Sequence, residues 1–500
     1  MKLRNTVIII LFVCFLAIGS VSASENSMQH NLTLQTPNSD IREIAISQDS
    51  QNSSPNDECI LTQAVNSDED IQSKSGQNSK ELLELKISEK EKTITDNAIK
   101  KAEDWKTFDV SDYKTLNSAL TADYDKIIIN INSNIILKNN NFISESIKKL
   151  MINGNGKTID GSKKYHLTTN GEVTINNIRM VNCYSSFGGA IKNEGTLEII
   201  NSKFEYNKAK HGAAIYNQAN LIIKNTIFNK NKGTVSSGAI YNEGTLKIIK
   251  STIKNNIGKD AGAIVNGAKL EIIGCKISAN TGSVGAINNH GTMKISDTTI
   301  KNNKAKQVGT ISNYKGKLTM SNSKLISNKA AKKGGYMINN DKGKANIKDC
   351  TMKNNRLSLI YNDGTMTIDK TTITNNKANI DTINTMKGKL TIKNSILNSN
   401  FAKYGGGAIT NYNSKVTLIK CTINNNKANK EGGAIYNGAK LSISHCTINK
   451  NKALKEGGAI FNHGKIIIKN SKLLNNKPNG KKTIKNFNNG KTRLINTKIK

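Results

Sequence analysis

Aromatic side chains are rare in this sequence, at 5% of 500 residues. A recognition helix, the aromatic pattern of an RNA-binding sheet and a zinc-finger pattern are all missing as well. Specific nucleic-acid binding depends on such motifs. The chain is nevertheless strongly basic, with 73 basic against 37 acidic residues. We therefore expect a general attraction to polyanions but no specific nucleic-acid partner.

Carboxylates are scarce and scattered from residue 162 onward. A glycoside hydrolase needs carboxylates on neighbouring strands, and a calcium-dependent lyase needs an Asp cluster with a basic residue. No Asp-Asp or Asp-x-Asp pair occurs here, and most acids stand singly at predicted corners, as in Asn-Glu-Gly. His290 and His463, both in Asn-His-Gly, occupy the same corner and are predicted to be turn residues. We predict no catalytic, cofactor-binding or metal-binding residues, no cofactor, and no enzymatic activity.

The acids of this region are Glu172, Glu194, Glu198, Glu205, Glu243, Asp260, Glu271, Asp297, Asp341, Asp349, Asp363, Asp369, Asp381, Glu431 and Glu456.

Only the N-terminus contains a long apolar run. Lys2 and Arg4 precede this run, and Val21-Ser22-Ala23 forms a small-residue cleavage site. The pattern predicts a secretory signal peptide over residues 1–23, with an uncleaved anchor helix as the alternative. We therefore predict a secreted or cell-surface protein, with no transmembrane segment after removal of the signal.

Residues 24–105 differ in composition from the rest, being rich in Ser, Asn and Gln with 16 acidic and 8 basic residues. Such a segment cannot bury enough apolar surface to fold, so we predict an acidic disordered linker. The remaining 63 basic and 21 acidic residues give residues 106–500 a net charge of +42. We divide this part into an N-terminal cap with the first coils, residues 106–165, and repeats of about 24 residues over 166–500.

The sequence is repetitive, and a phase marker, the Ile position of the motif Gly-Gly-Ala-Ile, returns every 23 to 26 residues. A period of this size predicts a solenoid. Apolar residues mostly alternate within each copy, as in Leu197, Ile199 and Phe204, which predicts short strands. We expect parallel strands stacked about 4.8 Å apart, with positive φ at the Asn-Gly, Glu-Gly and Lys-Gly corners. The predicted phase markers are Ile191, Ile215, Ile240, Ile264, Ile287, Ile311, Met337, Ile360, Ile383, Ile409, Ile435, Ile460 and Ile484.

Two columns of Asn accompany the markers. The first follows the marker by two residues, includes Asn193, Asn217 and Asn339, and is broken only by Thr385. The second follows the Phe, Ile or Leu position by three residues and runs unbroken from Asn207 to Asn476. Stacked Asn side chains bond to one another and to turn backbone, so we interpret both columns as structural ladders.

These motifs resemble the repeats of two known groups of proteins. Gly-Gly-Ala-Ile and Phe-x-x-Asn are similar to the repeats of chlamydial polymorphic outer membrane proteins. The run from Asn153 to Gly161 more closely resembles the right-handed parallel β-helix adhesin-like proteins of methanogenic archaea. The resemblance covers about residues 107–500 and implies an all-β, right-handed, single-stranded parallel β-helix of the pectate-lyase-like type. Nothing resembles the autotransporter barrel of the chlamydial proteins. Gly-Gly-Ala-Ile occurs at residues 188–191, 406–409, 432–435 and 457–460, and Phe-x-x-Asn at 204–207 and 228–231.

Cysteine occupies a position in the repeat that otherwise carries Ser or Thr. Cys275, Cys350, Cys421 and Cys446 share this position, which we interpret as a slot for small side chains. Cys421 and Cys446 fall on adjacent coils, where a disulfide is geometrically feasible. Because stacked parallel side chains often point wrongly for a bridge, we predict free buried thiols. No Cys-x-x-Cys or Cys and His cluster of the zinc type is present.

We predict a helical cap at the first coil of the solenoid but none at the last coil. Ser111 as N-cap, followed by Tyr113, Leu116 and Leu120, predicts a short helix that caps the first coil together with a strand at 126–131. No comparable lid follows the last coil, so we predict self-association through that coil.

We predict an exported adhesin-like surface protein that binds cell-surface polysaccharides or neighbouring cells through its elongated basic β-helix. One alternative is a polysaccharide lyase or hydrolase of the pectate-lyase-like superfamily. The other is a structural cell-envelope component without a specific ligand.

Overall fold

A computed structural model describes residues 105–330, 335–356, 358–478 and 482–500. All of these residues belong to one compact unit. The signal peptide predicted for residues 1–23, and the predicted linker up to residue 104, lie outside the described residues. Among the residues described, no helix has the length and apolar character needed to cross a membrane.

The unit is an all-β, right-handed parallel solenoid of about 16 turns, which confirms the predicted fold class. Each regular turn contributes one strand to each of three parallel sheets, which we call A, B and C in the order in which the chain visits them. Neighbouring turns pair in register, as Leu197, Leu221 and Leu246 do in sheet A. Equivalent residues of the repeat are therefore stacked along the solenoid axis.

The strands of sheet A are Lys106–Val110, Lys126–Ile131, Lys149–Asn153, Glu172–Asn176, Thr196–Ile200, Asn220–Lys224, Thr245–Ile249, Lys269–Ile273, Thr292–Ser296, Lys317–Ser321, Lys344–Lys348, Thr365–Asp369, Lys389–Lys393, Lys415–Ile419, Lys440–Ser444, Lys465–Lys469 and Lys491–Ile495. Those of sheet B are Ile135–Ile136, Thr158–Asp160, Arg179–Val181, Lys203–Glu205, Ile227–Asn229, Thr252–Lys254, Lys276–Ser278, Thr299–Lys301, Lys324–Ile326, Thr351–Lys353, Thr372–Thr374, Ile396–Asn398, Thr422–Asn424, Thr447–Asn449, Lys472–Leu474 and Lys498–Ile499.

The strands of sheet C are Asn141–Phe142, Leu167–Thr169, Ile191–Asn193, Ile215–Asn217, Ile240–Asn242, Ile264–Asn266, Thr281–Asn289, Lys304–Tyr314, Lys329–Ala330, Tyr336–Asp341, Ser358–Asn362, Ile383–Thr385, Ile409–Asn411, Ile435–Asn437, Ile460–Asn462 and Ile484–Asn486. Short arm strands between sheets B and C form two further ladders, of Tyr184–Phe187, Lys208–His211 and Lys232–Gly233, and of Lys377–Ala378, Phe401–Ala402, Lys427–Ala428 and Lys452–Ala453.

The core is a stack of aliphatic side chains from all three sheets. Leu197 and Ile199 of sheet A, Phe204 of sheet B and Ile191 of sheet C are each fully buried. Strand alternation sends these residues inward and leaves their neighbours outside. Full burial of one such side chain contributes about 1.5–3 kcal/mol. Because the same positions are apolar in turn after turn, burial is continuous along the axis.

Two Asn ladders run through the interior, as predicted. In the first, the Asn193 amide donates to Oδ1 of Asn217 at 2.7 Å. Thr385 interrupts this ladder but accepts from Asn362 at 3.3 Å and donates to Ser414 at 3.0 Å. In the second, both the backbone N–H and the side-chain amide of each Asn donate to Oδ1 of the next Asn.

The predicted phase is wrong by one residue in a single turn. The chain pairs Ile311 with Ile338 rather than with Met337, and Asn313 donates to Asn340 rather than to Asn339. The sequence Gly-Gly-Tyr-Met, aligned with Gly-Gly-Ala-Ile, puts the predicted marker at Met337, one residue before the residue that pairs. Asn339 therefore lies on the outer surface of sheet C, because the inward positions are set by the core and by the ladder.

The predicted location of positive φ is confirmed at some corners, such as Asn170-Gly171 and Lys315-Gly316, where Gly171 and Lys315 have positive φ, but it is wrong for the Glu-Gly corner at Gly195. Positive φ occurs at the single-residue corners that follow sheets A and B, for example at Asn201 and Tyr206. Gly195, in the Asn-Glu-Gly corner, is required for a different reason, since a Cβ there would lie 2.4 Å from the carbonyl oxygen of Gly171. Glycine at this corner allows successive turns to approach closely.

The Ser, Thr and Cys column is a third ladder rather than a simple slot. The backbone N–H of Ser202 donates to the Thr226 hydroxyl at 3.3 Å, and that of Cys421 donates to Sγ of Cys446 at 3.3 Å. The five described cysteines are free and buried. Burial raises the pKa of the Cys350 thiol to about 11. Sulfur thus replaces a hydroxyl as a hydrogen-bond acceptor in this column.

Replacing Cys421 with Ser should change the free energy of unfolding by less than about 1 kcal/mol, because the hydroxyl takes over the same hydrogen bonds. Denaturant-induced unfolding of the two proteins provides the measurement. Cys421→Val, which removes the hydrogen-bonding atom from this position, should be clearly more destabilising. Equal effects of the two substitutions would contradict a ladder.

A short helix, Tyr113–Leu120, covers the first turn. Its buried residues are Leu116, Ala119 and Leu120. The N-cap is Asp112, not Ser111, because the Asp112 carboxylate accepts from the Thr115 N–H at 2.8 Å. The strand Lys106–Val110, which the sequence analysis missed, precedes this helix and pairs with Lys126–Ile131.

Candidate functional site

The middle residue of each strand in sheet C points outward, because the residues on either side face the core and the first Asn ladder. We call the stacked middle residues the outer row. In-register pairing aligns them along the axis. From the strand Ile191–Asn193 onward they are Lys192, Tyr216, Tyr241, Val265, Asn288, Ser312, Asn339, Tyr361, Asn384, Thr410, Tyr436, Phe461 and Lys485. Five of these thirteen residues are aromatic, in a chain that has few aromatic residues.

Four rings form the N-terminal aromatic cluster. Tyr216 and Tyr241 of the outer row stack with centroids 5.4 Å apart. The arm strands supply Phe187 and His211, which stack at 5.2 Å, and Phe187 meets Tyr216 edge-on at 5.0 Å. Tyr216 is only 6% exposed, whereas Phe187 is 44% exposed. The arms therefore wrap the outer row and present one ring to solvent.

Hydrogen bonding and burial fix the polar edges of this cluster. The Tyr216 hydroxyl donates to Oε2 of Glu243. Burial, followed by this bond, raises the pKa of Tyr216. Burial lowers the pKa of His211, although the Glu243 carboxylate opposes that change. At neutral pH, His211 is therefore an uncharged ring within an aromatic stack.

A C-terminal aromatic cluster lies about 38 Å further along the axis, eight strand spacings from Tyr241 to Tyr436. Tyr436 and Phe461 of the outer row stack at 5.7 Å, and Phe461 stacks on Phe487 at 5.8 Å. His463 packs edge-on against Phe487 at 5.0 Å. Phe487 is 43% exposed. The arrangement repeats that of the first cluster, with buried rings that support an exposed one.

A buried carboxylate, Asp381, lies between the two aromatic clusters. Its side chain is 0% exposed. The Thr410 hydroxyl donates to Oδ1 at 3.0 Å, and the Asn384 amide donates to Oδ2 at 3.2 Å. The Tyr412 hydroxyl lies 3.5 Å from Oδ2. We call Asp381, Asn384, Thr410, Tyr412 and the neighbouring Tyr336 the Asp381 cluster.

Burial dominates the electrostatics of the Asp381 cluster. It raises the pKa of Asp381 to about 6, although hydrogen bonds from Thr410, Gly405 and Tyr412 partly oppose the rise. No ion pair to Asp381 forms within the described residues. Burial and the Asp381 charge also raise the pKa of Tyr336. The cluster is thus an uncompensated buried acid held by neutral donors.

The predicted turn residues are at corners, and both also contact aromatic rings. His290 meets Tyr314 edge-on at 5.8 Å, and His463 belongs to the C-terminal aromatic cluster. The acids treated as isolated are less uniform than the sequence analysis assumed. Asp341 has a raised pKa, chiefly from burial, and the nearby Asp363 contributes to it. In the described part of the chain, no group of three or more His, Cys, Asp or Glu side chains is placed to hold a metal ion.

The sequence analysis missed the outer row, although a signal for it is present. The motif continues as Gly-Gly-Ala-Ile-Tyr-Asn, and the residue between the marker Ile and the ladder Asn is Tyr216, Tyr241, Tyr361 or Tyr436 in four turns. Once Ile and Asn are assigned to the interior, strand alternation requires the Tyr to face outward. That inference would have identified sheet C as the aromatic face.

Comparison with known proteins establishes the family. The model of the right handed beta helix region matches residues 190–342 and 334–499, and the chain belongs to this family. No curated protein matches the sequence.

Two of the solved structures that resemble the fold come from different kinds of protein. One is a double mutant of the tailspike protein of E. coli bacteriophage HK620 in complex with a pentasaccharide, with 10% identity and a TM-score of 0.26 over 77% of this chain and 75% of that chain. The other is the PL6 family alginate lyase AlyGC, with 10% identity and a TM-score of 0.24 over 78% of this chain and 89% of that one.

Proposed function

We propose that this protein is an exported, adhesin-like surface protein that binds glycans along the aromatic face of sheet C. The observation that carries the proposal is the pair of aromatic clusters on one face of the solenoid. Each cluster presents an exposed ring, Phe187 or Phe487, on a base of buried rings. Flat, rigid rings beside fixed polar groups provide apolar contact and orientation for a ligand.

Repetition along the axis favours an extended ligand. The two aromatic clusters lie about 38 Å apart by strand spacing, so one long glycan chain can contact both. Two weak contacts on one molecule raise the overall affinity far above that of either contact alone. An arrangement of two separated contacts suits binding to repeated glycans on a cell surface. Export through the predicted signal peptide would bring the protein to that surface.

Removing the exposed ring from each aromatic cluster should weaken glycan binding. We expect Phe187→Ala with Phe487→Ala to lower affinity for a bound neutral polysaccharide by about tenfold or more, since each stacking contact contributes about 1 kcal/mol. The measurement is affinity electrophoresis or calorimetry of the full chain against mannan, galactan and dextran at high salt. High salt suppresses the general attraction of the basic surface.

A matched control removes two exposed apolar residues from the other sheets. Ile222 of sheet A and Ile396 of sheet B are 37% and 45% exposed. Ile222→Ala with Ile396→Ala should leave the affinity unchanged. Equal losses in both variants, or no selective binding by the wild type, would refute the aromatic face as the binding site.

The enzyme alternative makes a separate prediction. A lyase or hydrolase would release products of defined length from its polysaccharide, whereas an adhesin-like protein leaves the polymer intact. Chromatography of the polysaccharide after long incubation distinguishes these outcomes. Self-association through the last turn also stays a prediction, for which the measurement is the molecular mass in solution.

A further inference from the structure

The outward lysines of sheet A are paired with acids in one part of the sheet. Four lysine–glutamate contacts of 3.3 Å or less join neighbouring strands between residues 149 and 294. Glu271, for example, lies between Lys247 and Lys294, at 3.3 Å and 3.2 Å. Cross-strand pairs of opposite charge stabilise a sheet. In this part of sheet A, glutamates thus offset much of the positive charge of the outward lysines.

Further along the same sheet Lys393 still pairs with Asp369 across neighbouring strands, at 3.4 Å, but the lysines at the first position of each described strand have no such acidic partner. The first residue of each strand from Lys317 to Lys491 forms one stacked row, which we call the lysine row. Its members are Lys317, Lys344, Thr365, Lys389, Lys415, Lys440, Lys465 and Lys491. All of them are exposed. Within the described residues none of these lysines forms an ion pair.

The row has a regular geometry. Five lysines, from Lys389 to Lys491, occupy consecutive turns, so their backbones are about 4.8 Å apart along the axis. A parallel row of partly exposed hydroxyl-bearing residues lies two positions further along the strands, at Thr319, Thr367, Thr391, Thr417 and Ser442. At one end, Lys315, Lys317, Lys342 and Lys344, together with the acid Asp363, line a shallow depression of about 660 Å³. The equivalent positions also carry Asn346 and, after Ser442, the exposed Ile467, so lysines and polar side chains form one hydrophilic strip from Lys317 to Lys440.

Like charges directly opposite each other destabilise a sheet. A ligand that places an anion between neighbouring lysines removes this repulsion and gains a favourable contact at every turn. A small anion satisfies one or two lysines only. A linear polyanion whose charges repeat at close to the strand spacing satisfies the whole row, over about 34 Å for seven strand steps.

We propose that the lysine row binds a linear acidic polysaccharide that carries one carboxylate on each sugar. One carboxylate per sugar gives a charge spacing of the same order as the strand spacing, and the sugar hydroxyls face the Thr and Ser row. Duplex DNA is a poorer match, because its phosphates repeat at about 3.4 Å along each strand. The strip also has no aromatic residue for base stacking. This site is on sheet A and goes beyond the glycan contact proposed for sheet C.

Two variants with the same change in charge test the proposal. The first combines Lys389→Thr, Lys415→Thr, Lys440→Thr and Lys465→Thr, and Thr already occurs in this row at Thr365. The second replaces Lys203, Lys276, Lys324 and Lys472, the exposed first residues of four sheet B strands, with Thr. Thr is equally native to that position, as at Thr252 and Thr299. Circular dichroism confirms that both variants fold.

Binding of the full chain to polygalacturonate is measured as a function of salt. The lysine-row variant should lose about tenfold or more in affinity, and its salt dependence should weaken by about four released counterions. The sheet B variant should lose less than about threefold.

Three results would overturn the proposal. They are equal losses in the two variants, no binding of polygalacturonate by the wild type, or tighter row-dependent binding of DNA than of polygalacturonate. The Phe187 and Phe487 variant keeps the lysine row, so it should bind polygalacturonate normally. Failure of the sheet C proposal is therefore distinguishable from failure of this one.

Discussion

Replacing Asn256 with Ala should lower the free energy of unfolding by about 3–5 kcal/mol, because it leaves several buried polar groups without partners. Oδ1 of Asn256 accepts the backbone N–H and the side-chain amide of Asn231, both at 2.9 Å. Its own amide donates to the Phe228 carbonyl at 3.1 Å and to Asn280 at 3.0 Å. The substitution removes all four bonds, in a place that water does not reach.

Denaturant-induced unfolding of the full chain, followed by circular dichroism, measures this loss. Asn346→Ala is the matched control, because Asn346 is exposed on sheet A and belongs to no ladder. The control should change stability by less than about 0.5 kcal/mol. Similar values for the two variants would mean that the second ladder does not contribute to stability. Asn256→Asp should be as damaging as Asn256→Ala, since a buried carboxylate cannot donate.

Asp381→Asn should stabilise the protein above pH 6, by up to about 3 kcal/mol. The pKa of Asp381 is about 6 in the folded chain, against an ordinary value of 3.8. Between these two values the folded state holds a proton that the unfolded state has released. Stability is therefore greatest below about pH 4 for this group and falls as pH rises to about 6. Above that pH the full cost of the buried charge remains.

The measurement is the free energy of unfolding of wild type and variant at several pH values between 4 and 8. The difference between the two proteins should grow from pH 4 to pH 6 and then level off. Glu172→Gln provides the control, because Glu172 is exposed and paired with Lys149 at 3.2 Å. Glu172→Gln should change the free energy of unfolding only slightly at every pH between 4 and 8. A destabilised Asp381→Asn protein at pH 8 would show that the charged carboxylate is well solvated in the fold.

The fold follows from a few repeated positions, which is why it could be predicted. Ile at the marker, alternating Leu and Ile in sheet A, and Asn in the two columns each have one physical role in every turn. Because each position has the same role in every turn, a residue type that recurs at it identifies that role even where single turns deviate. The register error at Met337 arose where a motif was shifted by one residue relative to the backbone pairing of Ile311 with Ile338. Only the three-dimensional stack reveals such a shift.

The candidate site was harder to predict because it consists of departures from the repeat. Asp381 stands where neighbouring turns carry Gly407 and Gly433, and its partner Thr410 is 29 residues away along the chain. Thr385, in the same turn, breaks the first Asn ladder. The repeat length predicts which residues of successive turns stack on one another. It does not predict which non-equivalent side chains of different turns come into contact. The departures from the repeat at Asp381 and Thr385 thus lie in the same turn, beside the Asp381 cluster.

Both Asn ladders have a direction. In each of them the side-chain amide donates to the following turn, from Asn193 towards Asn486 with the break at Thr385, and from Asn207 towards Asn476. Aligned amides polarise one another, so the interior has a polar axis like that of a long dipole. A turn added beyond Asn476 must supply acceptors, whereas one added before Asn207 must supply donors, as the backbone N–H of Cys183 does. Two such solenoids can therefore continue each other's ladders only head to tail.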